Sequence, residues 1–418
     1  ILELTNQNLI STMYLSAFFF SIANFLLCYI AFENFKIKAS YFLPILIFLA
    51  HPFANHPWYN YQFYFLITVS IYFFLNEKKY SLFFTGLFIS LSCLVYENFI
   101  YLGFILVSII FYLKNKIIKS FLIFLGFLIP QLIFHTYLLI YNLHDYWLKT
   151  FWLNEIFLKI YDLTFFELVI RYFEIFLSKS LFSFVTQPYY FLFLLIFVLN
   201  FYNFLNFIFV KKKLYTTEKN NIYFFVLSLI CLFTYASTLH KLNIFRFSTG
   251  PIIGILFLVY FIEQKLPQDK NYILILIVLL LGSASLVPLK QENNRFFPLF
   301  EDLKNNYNST QIKFFRHQKW RNETWNVINA IENQSKSIAK TCKEITRFIN
   351  YTEDAFIYII AKQYLDSDQY LFWDQNKKYH KLLSEHFNVE MDELVNNINK
   401  FENGIIFFNL KDLNSFKE

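Results

Sequence analysis

Long apolar runs recur through the first 289 residues and constrain this chain more than any other feature of its sequence. A helix needs about 20 consecutive apolar residues, with a range of about 17–25, to cross the hydrocarbon core of a bilayer. Ten runs approach this length, several of them short: 9–32, 41–54, 61–76, 81–96, 98–113, 120–143, 181–210, 222–238, 247–264 and 272–289. They predict an all-α polytopic membrane bundle of about ten transmembrane helices over residues 1–289.

Composition separates this region from the end of the chain. Hydrophobic residues make up 56% and charged residues 16% of the 418 positions, whereas soluble chains hold about 45–50% apolar and about 25% charged residues. From Lys290 onward the sequence becomes polar. Residues 290–418 are therefore predicted to form a small soluble α/β domain, with helices over 319–349, 353–364 and 390–402 and strands at Tyr370–Trp373 and Ile405–Phe408.

The basic residues indicate how the chain is oriented. The net charge of +7 does not indicate a nucleic-acid partner, because most lysines flank apolar runs, where they orient membrane proteins. The run 81–113 lies between two basic linkers, so we divide it into a hairpin with its tip at Tyr96–Asn98. Alternate linkers then carry thirteen basic residues on one side (Lys36, Lys38, Lys78, Lys79, Lys114, Lys116, Lys119, Lys211, Lys212, Lys213, Lys219, Lys265, Lys270) and six on the other (Lys149, Lys159, Arg171, Lys179, Lys241, Arg246).

The positive-inside rule places the richer set in the cytoplasm. We therefore expect a multi-pass protein of the bacterial inner membrane, with its C-terminal domain on the outer, periplasmic side. The same count places Ile1 outside, and we expect a further helix upstream of it. The four cysteines have neither disulfide nor metal-ligand spacing, so no metal site is predicted.

The segment 144–180 belongs to a long outer loop and is amphipathic, with aromatic and aliphatic residues among scattered charges. Such a stretch can lie in the headgroup plane of the bilayer. A pair of helices packed against each other outside the membrane is an equally good interpretation.

Polar residues at membrane depth or at helix ends are the default functional candidates in a membrane protein. The first set lies in the outer linker His51–Asn60, which has two histidines, two asparagines and no charge. Asn55, His56 and Asn60 could hydrogen-bond a sugar while Trp58 stacks on its face. Proline and aromatic residues are also common in interfacial loops, so a purely structural role is the alternative.

The second candidate is Glu97, between Tyr96 and Asn98 at the tip of the hairpin. A carboxylate beside apolar surface can act as a general base or as a ligand. The alternative is a carboxylate at headgroup level that only caps the hairpin.

The third set consists of His240, Lys241 and Arg246, just before an apolar run that opens with Gly250 and Pro251. Arginine makes bidentate contacts with phosphate, and a helix N-terminus adds to the attraction. The alternative is an arginine that only extends its charged head to the interface.

Taken together, the order of these segments resembles the GT-C superfamily of polytopic glycosyltransferases, which includes protein mannosyltransferases and lipid A aminoarabinose transferases. The stretch from Leu49 to Asn60 is similar to an outer loop between two of the family's helices, and Thr85–Asn98 to its glycine-bearing helix and following polar turn. The sequence Phe245-Arg246-Phe247 before Gly250-Pro251 is similar to the start of a late helix in the family. Residues 350–356 and the strand Ile405–Phe408 are similar to its outer α/β domain.

The resemblance implies a sugar donor on a polyprenyl phosphate and a lipid, glycan or protein acceptor, with membrane lipids as neighbours and no cofactor of the protein's own. Arg246 and Lys241, with His240, would hold the donor phosphate. His56, Asn60 and Glu97 would line the cavity near the sugar, and the segment 144–180 would lie where lipid substrates arrive. The acidic residue that the family carries after its first helix would belong to a segment upstream of Ile1.

Two other functions compete with this one. The first is a polysaccharide polymerase or ligase, which is also polytopic and also uses arginine and histidine on the outer face. The second is a non-enzymatic transporter or flippase, for which broken helices and internal repeats are expected. The apolar runs of this chain contain few prolines and show no symmetry between halves.

Overall fold

The computed structural model divides the chain into two compact units, which are described separately. The first consists of Met13–Trp147 with Thr164–Phe297, and the second of Ile1–Thr12, Leu148–Leu163 and Pro298–Glu418. The structure describes residues 9–50, 59–76, 78, 80–96, 99–114, 117–151, 164–182, 188–209, 219–235, 251–286, 308–309, 319–320, 322–341, 347–351, 369–372 and 404–408.

The larger unit is built from helices. They are α1 (Leu9–Glu33), a 3₁₀ turn η1 (Lys38–Tyr41) continuing into α2 (Phe42–Ala50), α3 (Tyr59–Leu75), α4 (Ser81–Val95), α5 (Ile100–Lys114), α6 (Ile117–Ile140), α7 (His144–Phe151), α8 (Phe165–Phe182), α9 (Pro188–Phe209), α10 (Lys219–Tyr235), a 3₁₀ turn η2 (Pro251–Gly254) continuing into α11 (Ile255–Lys265), and α12 (Lys270–Leu286).

Three segments within these helices are long and apolar enough to cross a membrane: Tyr14–Glu33, Phe121–Ile140 and Pro188–Phe209. Only 28–33% of each segment is buried in the protein. Large apolar side chains such as Phe25, Phe121 and Tyr202 are more than half exposed. Apolar surface of this kind is consistent with an integral membrane protein, because lipid tails solvate it without cost.

One boundary of the sequence prediction is wrong. The run 181–210 was predicted as a single helix, but Leu181 and Phe182 end α8, and a new helix begins at Pro188. Proline is favoured in the first turn of a helix, because its missing N–H has no partner to lose there.

Glycines bring α4 and α6 into close contact. A Cβ atom built on Gly86 would overlap the carbonyl oxygen of Ile123, and one built on Gly126 would overlap that of Phe83. Further along the same pair of helices, Gln131 Nε2 donates to the carbonyl of Ser90 at 3.2 Å. The two helices are therefore parallel and in near contact through their backbones, as small residues allow in membrane proteins.

Other contacts show which further helices are neighbours and in which direction they run. Tyr64 donates a buried hydrogen bond to Asn24 Oδ1 at 3.0 Å, which joins α3 to α1. Between α9 and α10, the hydroxyl of Tyr235 donates to the carbonyl of Phe193 at 2.6 Å, and the rings of Phe207 and Phe225 stack at 4.2 Å. These two helices are therefore antiparallel.

The turn η1 before α2 meets α11 and α12 at one end of the bundle. Glu263 of α11 is buried, and its carboxylate accepts the backbone N–H groups of Lys38 at 3.1 Å and Ala39 at 2.8 Å. A carboxylate at the N-terminus of a helical turn is stabilised by the free N–H groups and by the helix dipole. Tyr41 donates to Asn271 Oδ1 at 3.2 Å beside this contact.

The same end of the bundle carries a group of lysines, and we call it the basic end. The ring centroids of Phe35 and Phe224 lie 4.5 Å apart there, and those of Phe74 and Tyr223 lie 5.4 Å apart. One end each of α1, α3 and α10 therefore lies at the basic end. The lysines at this end whose side chains the structure describes include Lys36, Lys38, Lys78, Lys265 and Lys270. The tertiary contacts thus group linkers that the charge count had assigned to a single side.

The second unit contains a helix and short strands. Helix α13 spans Asn322–Thr341, β1 (Asn308–Ser309) pairs with β2 (Lys319–Trp320), and a parallel sheet has the order β4-β3-β5, from β3 (Arg347–Tyr351), β4 (Gln369–Phe372) and β5 (Gly404–Phe408). The helix predicted over 319–349 is too long, since both of its ends are strands. The helices predicted over 353–364 and 390–402 lie outside the described residues.

Candidate functional site

Most of the residues selected from the sequence lie outside the part of the chain that the structure describes. Asn55, His56, Trp58, Glu97, His240, Lys241 and Arg246 lie outside the described residues, and Asn60 is described only as the second residue of α3, without its side chain. The structure nevertheless describes the helix ends from which these linkers leave, and the packing of those ends can be examined.

The linker 51–58 follows α2, and the segment 236–250 precedes η2 and α11. Helices α2 and α11 pack against each other, and the Glu263–Ala39 hydrogen bond fixes them at the basic end. From this contact, α2 runs eleven residues to Ala50 (50 − 39), and the helical run to Pro251 extends twelve (263 − 251). At 1.5 Å per residue both run about 17–18 Å from the basic end.

The described end of α2 and the start of η2 therefore lie at similar distances from the basic end. Asn55 and His56 follow the first of these positions in the chain, and Lys241 and Arg246 precede the second.

The start of α3 packs against the residues on either side of Glu97. Phe63, one turn into α3, has its ring centroid 5.8 Å from that of Tyr96 and 4.9 Å from that of Phe99. Tyr96 and Phe99 flank the turn that contains Glu97. The start of α3 is thereby held beside Tyr96 and Phe99, and the helices that flank all three selected segments form one packed group.

A polar layer lies where η2 ends. Asn200 of α9 and Ser228 of α10 are fully buried, and their Oδ1 and Oγ atoms have no hydrogen-bond partner among the described residues. Asn200 lies midway along the chain between Phe193 and Phe207, which contact Tyr235 and Phe225 of α10, so it lies within about one helical turn of Ser228. A Cβ atom built on Gly254 would overlap Ile196 Cγ2 and lie 2.8 Å from Cys231 Sγ, so only glycine permits this approach of η2.

A cluster of imidazole and indole rings lies at the end of α6 away from the basic end. The ring of His135 is 4.8 Å from that of Trp147 and 5.6 Å from that of His144, measured between centroids. Helix α6 ends at a left-handed Asn142, with hydrogen bonds from the N–H of Leu143 to the carbonyl of Leu138 and from Asn142 to Leu139. This motif terminates a helix sharply and turns α7 back toward α6.

The sequence analysis did not select His135, because it lies inside an apolar run. A titratable residue in such a run is nevertheless a signal in its own right. Imidazoles can exchange protons near neutral pH, and an indole offers a stacking face. Within the described ranges, no group of three or more His, Cys, Asp or Glu side chains could hold a metal ion.

Comparison with known proteins gives no relative. No protein-family model, no curated protein and no solved structure matches the chain.

Proposed function

We propose that the chain is a membrane glycosyltransferase that moves a sugar from a polyprenyl-phosphate donor to a lipid, glycan or protein acceptor on the outer face of the membrane. The observation that carries this proposal is the packing of the helices that flank the linkers 51–58 and 236–250 and the turn at Glu97. Segments with hydrogen-bonding, phosphate-binding and acid–base side chains therefore start from one region of the bundle.

The chemistry of the selected residues suits each part of this reaction. Arg246 and Lys241, assisted by His240, would bind the donor phosphate, because a guanidinium matches two phosphate oxygens. Asn55 and Asn60 would hydrogen-bond the sugar, and Trp58 would stack on it. The acceptor oxygen would bond to the anomeric carbon as the bond from that carbon to the phosphate oxygen breaks. The acceptor proton would pass to Glu97 or His56, and polyprenyl phosphate would leave with the electron pair.

The remaining features of the proposal concern architecture. We propose about ten membrane crossings, with the basic end in the cytoplasm of a bacterial cell. We further propose that residues 290–418 form an outer α/β domain. The strand order β4-β3-β5 supports it, since parallel strands require crossover connections, which are usually helical.

Release of polyprenyl phosphate from a panel of polyprenyl-phosphate hexoses and pentoses tests the function in the purified full chain. Arg246→Ala should raise the donor KM about tenfold or more, because hydrogen bonds to charged groups contribute about 1.5–3 kcal/mol. Lys265→Ala, an exposed lysine at the basic end, is the matched control and should leave the KM unchanged. Equal KM values for Arg246→Ala and the unchanged chain would remove Arg246 from the site.

The polar layer at Asn200 and Ser228 favours transport as a second candidate function. Buried polar groups near the middle of a bundle are typical of transport pathways. Proteoliposomes loaded with the same labelled donor distinguish the two functions. A transferase consumes the donor when an acceptor is present, whereas a flippase moves intact donor between leaflets. Long products from a single donor would instead indicate a polymerase.

A further inference from the structure

Helix α8 divides its surface into three strips. Its buried strip consists of Tyr172, Phe176 and Ser180, spaced four residues apart. A second strip is apolar and exposed, with Phe166 at 72%, Ile170 at 44%, Leu177 at 45% and Leu181 at 61% exposure. At about 100° per residue these four side chains fall within about 60° of arc. The third strip is exposed and polar, and it contains Glu167, Arg171, Glu174 and Ser178. Two further exposed apolar residues, Ile175 and Phe182, lie between the polar strip and the buried strip.

The buried strip packs against the start of α9, one of the three helices that could span a membrane. Ser180 Oγ lies 3.1 Å from the carbonyl oxygen of Tyr190 and donates to it or to the carbonyl of Phe176 at 2.6 Å. The ammonium of Lys179 lies 5.0 Å from the centre of the Tyr190 ring. Phe191, the next residue of α9, is itself apolar and 37% exposed.

The N-terminus of α8 carries an exposed polar cap. Thr164 and Glu167 form a reciprocal cap, in which the N–H of Thr164 donates to Glu167 Oε2 at 2.7 Å and the N–H of Glu167 to Thr164 Oγ1 at 3.2 Å. These bonds, the backbone one above all, lower the pKa of the Glu167 carboxyl. The charged cap is exposed and lies within three residues of an exposed apolar strip. This arrangement is typical of an amphipathic helix at the interface between water and lipid.

We infer that α8 is a membrane-surface helix whose strip Phe166, Ile170, Leu177 and Leu181 contacts the acyl chains of phospholipids, while Glu167, Arg171 and Glu174 remain in water. The occupant of the apolar strip is the bilayer and not a second helix of this chain. The three described faces of α8 thus have three different partners: α9, lipid and water. This inference does not depend on the proposed reaction, because a transporter would bind lipid at the same strip.

Photochemical cross-linking in native membranes tests the inference. The photoreactive amino acid benzoylphenylalanine is placed at Phe166 or Leu177 and, as the matched control on the polar strip, at Glu174. After irradiation, mass spectrometry of the α8 peptides should find phospholipid adducts several-fold more often at the two strip positions than at the control. Unchanged elution in gel filtration shows that each variant is folded.

Two outcomes would overturn the inference. Cross-links from Phe166 and Leu177 to another segment of the chain would show a packed helix pair outside the bilayer. Equal lipid adducts at all three positions would show that α8 has no oriented contact with lipid. Both results leave the donor-consumption assay unaffected, so failure here is separate from failure of the proposed function.

Discussion

Glu263 is the residue whose contacts most directly determine how the short helices are arranged. It is buried and lacks a basic side-chain partner closer than 4.0 Å among the described residues, so two backbone N–H groups compensate its charge. Its partners are 225 and 224 residues away along the chain. A single carboxylate therefore joins the α1–α2 connection to the end of α11.

Replacing this residue gives a prediction at the residue scale. Glu263→Ala should lower the free energy of unfolding by about 2 kcal/mol, because a buried donor without a partner costs about 1–3 kcal/mol. Glu263→Gln should lose less, since its amide oxygen still accepts one N–H. Thermal unfolding in detergent measures both.

The control for Glu263 is Glu33→Ala. Glu33 pairs with Lys36 at 3.6 Å, but both side chains are exposed, by 46% and 77%. Exposed ion pairs contribute little, so this variant should unfold at the unchanged temperature. If Glu263→Ala behaves like Glu33→Ala, the carboxylate does not hold the two helices together.

At the scale of elements, the contact between α4 and α6 depends on the absence of two side chains. The methyl group of Gly86→Ala or Gly126→Ala would meet a backbone carbonyl, and backbone cannot move aside as a side chain can. Overpacking of this kind costs about 1–3 kcal/mol. Each variant should therefore unfold at a lower temperature in detergent.

Gly282 of α12 is the matched control for these glycines. A Cβ atom built there meets nothing within 4 Å. Gly282→Ala should be neutral or stabilising by up to about 1 kcal/mol, because alanine is the better helix former. Equal stabilisation of all three variants would show that helix propensity sets the effect and that interhelical distance does not.

At the scale of the whole helical unit, the two ends of the bundle differ in charge, and this difference predicts sidedness. Gln268 lies in the exposed turn at the basic end, and Asp145 is exposed on α7 at the other end. We expect Gln268→Cys to react with a membrane-impermeant maleimide only in inverted vesicles and Asp145→Cys only in intact cells.

The native cysteines set the background of this measurement. Cys93 and Cys231 are buried and Cys28 is half-buried. Both variants also carry Cys342→Ser, which removes the fourth native cysteine from the labelling reaction. Labelling of both positions from the same side would contradict the orientation.

The sequence alone determined where the apolar helices lie, because hydropathy and helix length are properties of contiguous residues. It also determined which linkers share a charge, which is a sum over neighbouring residues. It did not reveal His135, whose polar ring is hidden in an apolar run, and it merged the end of α8 with α9 because Leu181 and Phe182 are as apolar as a membrane span.

Only the tertiary structure decided that α2 and α11 are neighbours and that Phe63 lies beside Tyr96, next to Glu97. These contacts join residues that are far apart in the chain. They depend on the fit of particular side chains, such as a buried carboxylate against free N–H groups or a glycine against a carbonyl. No local period in the sequence encodes such a fit, since the partner lies on another helix.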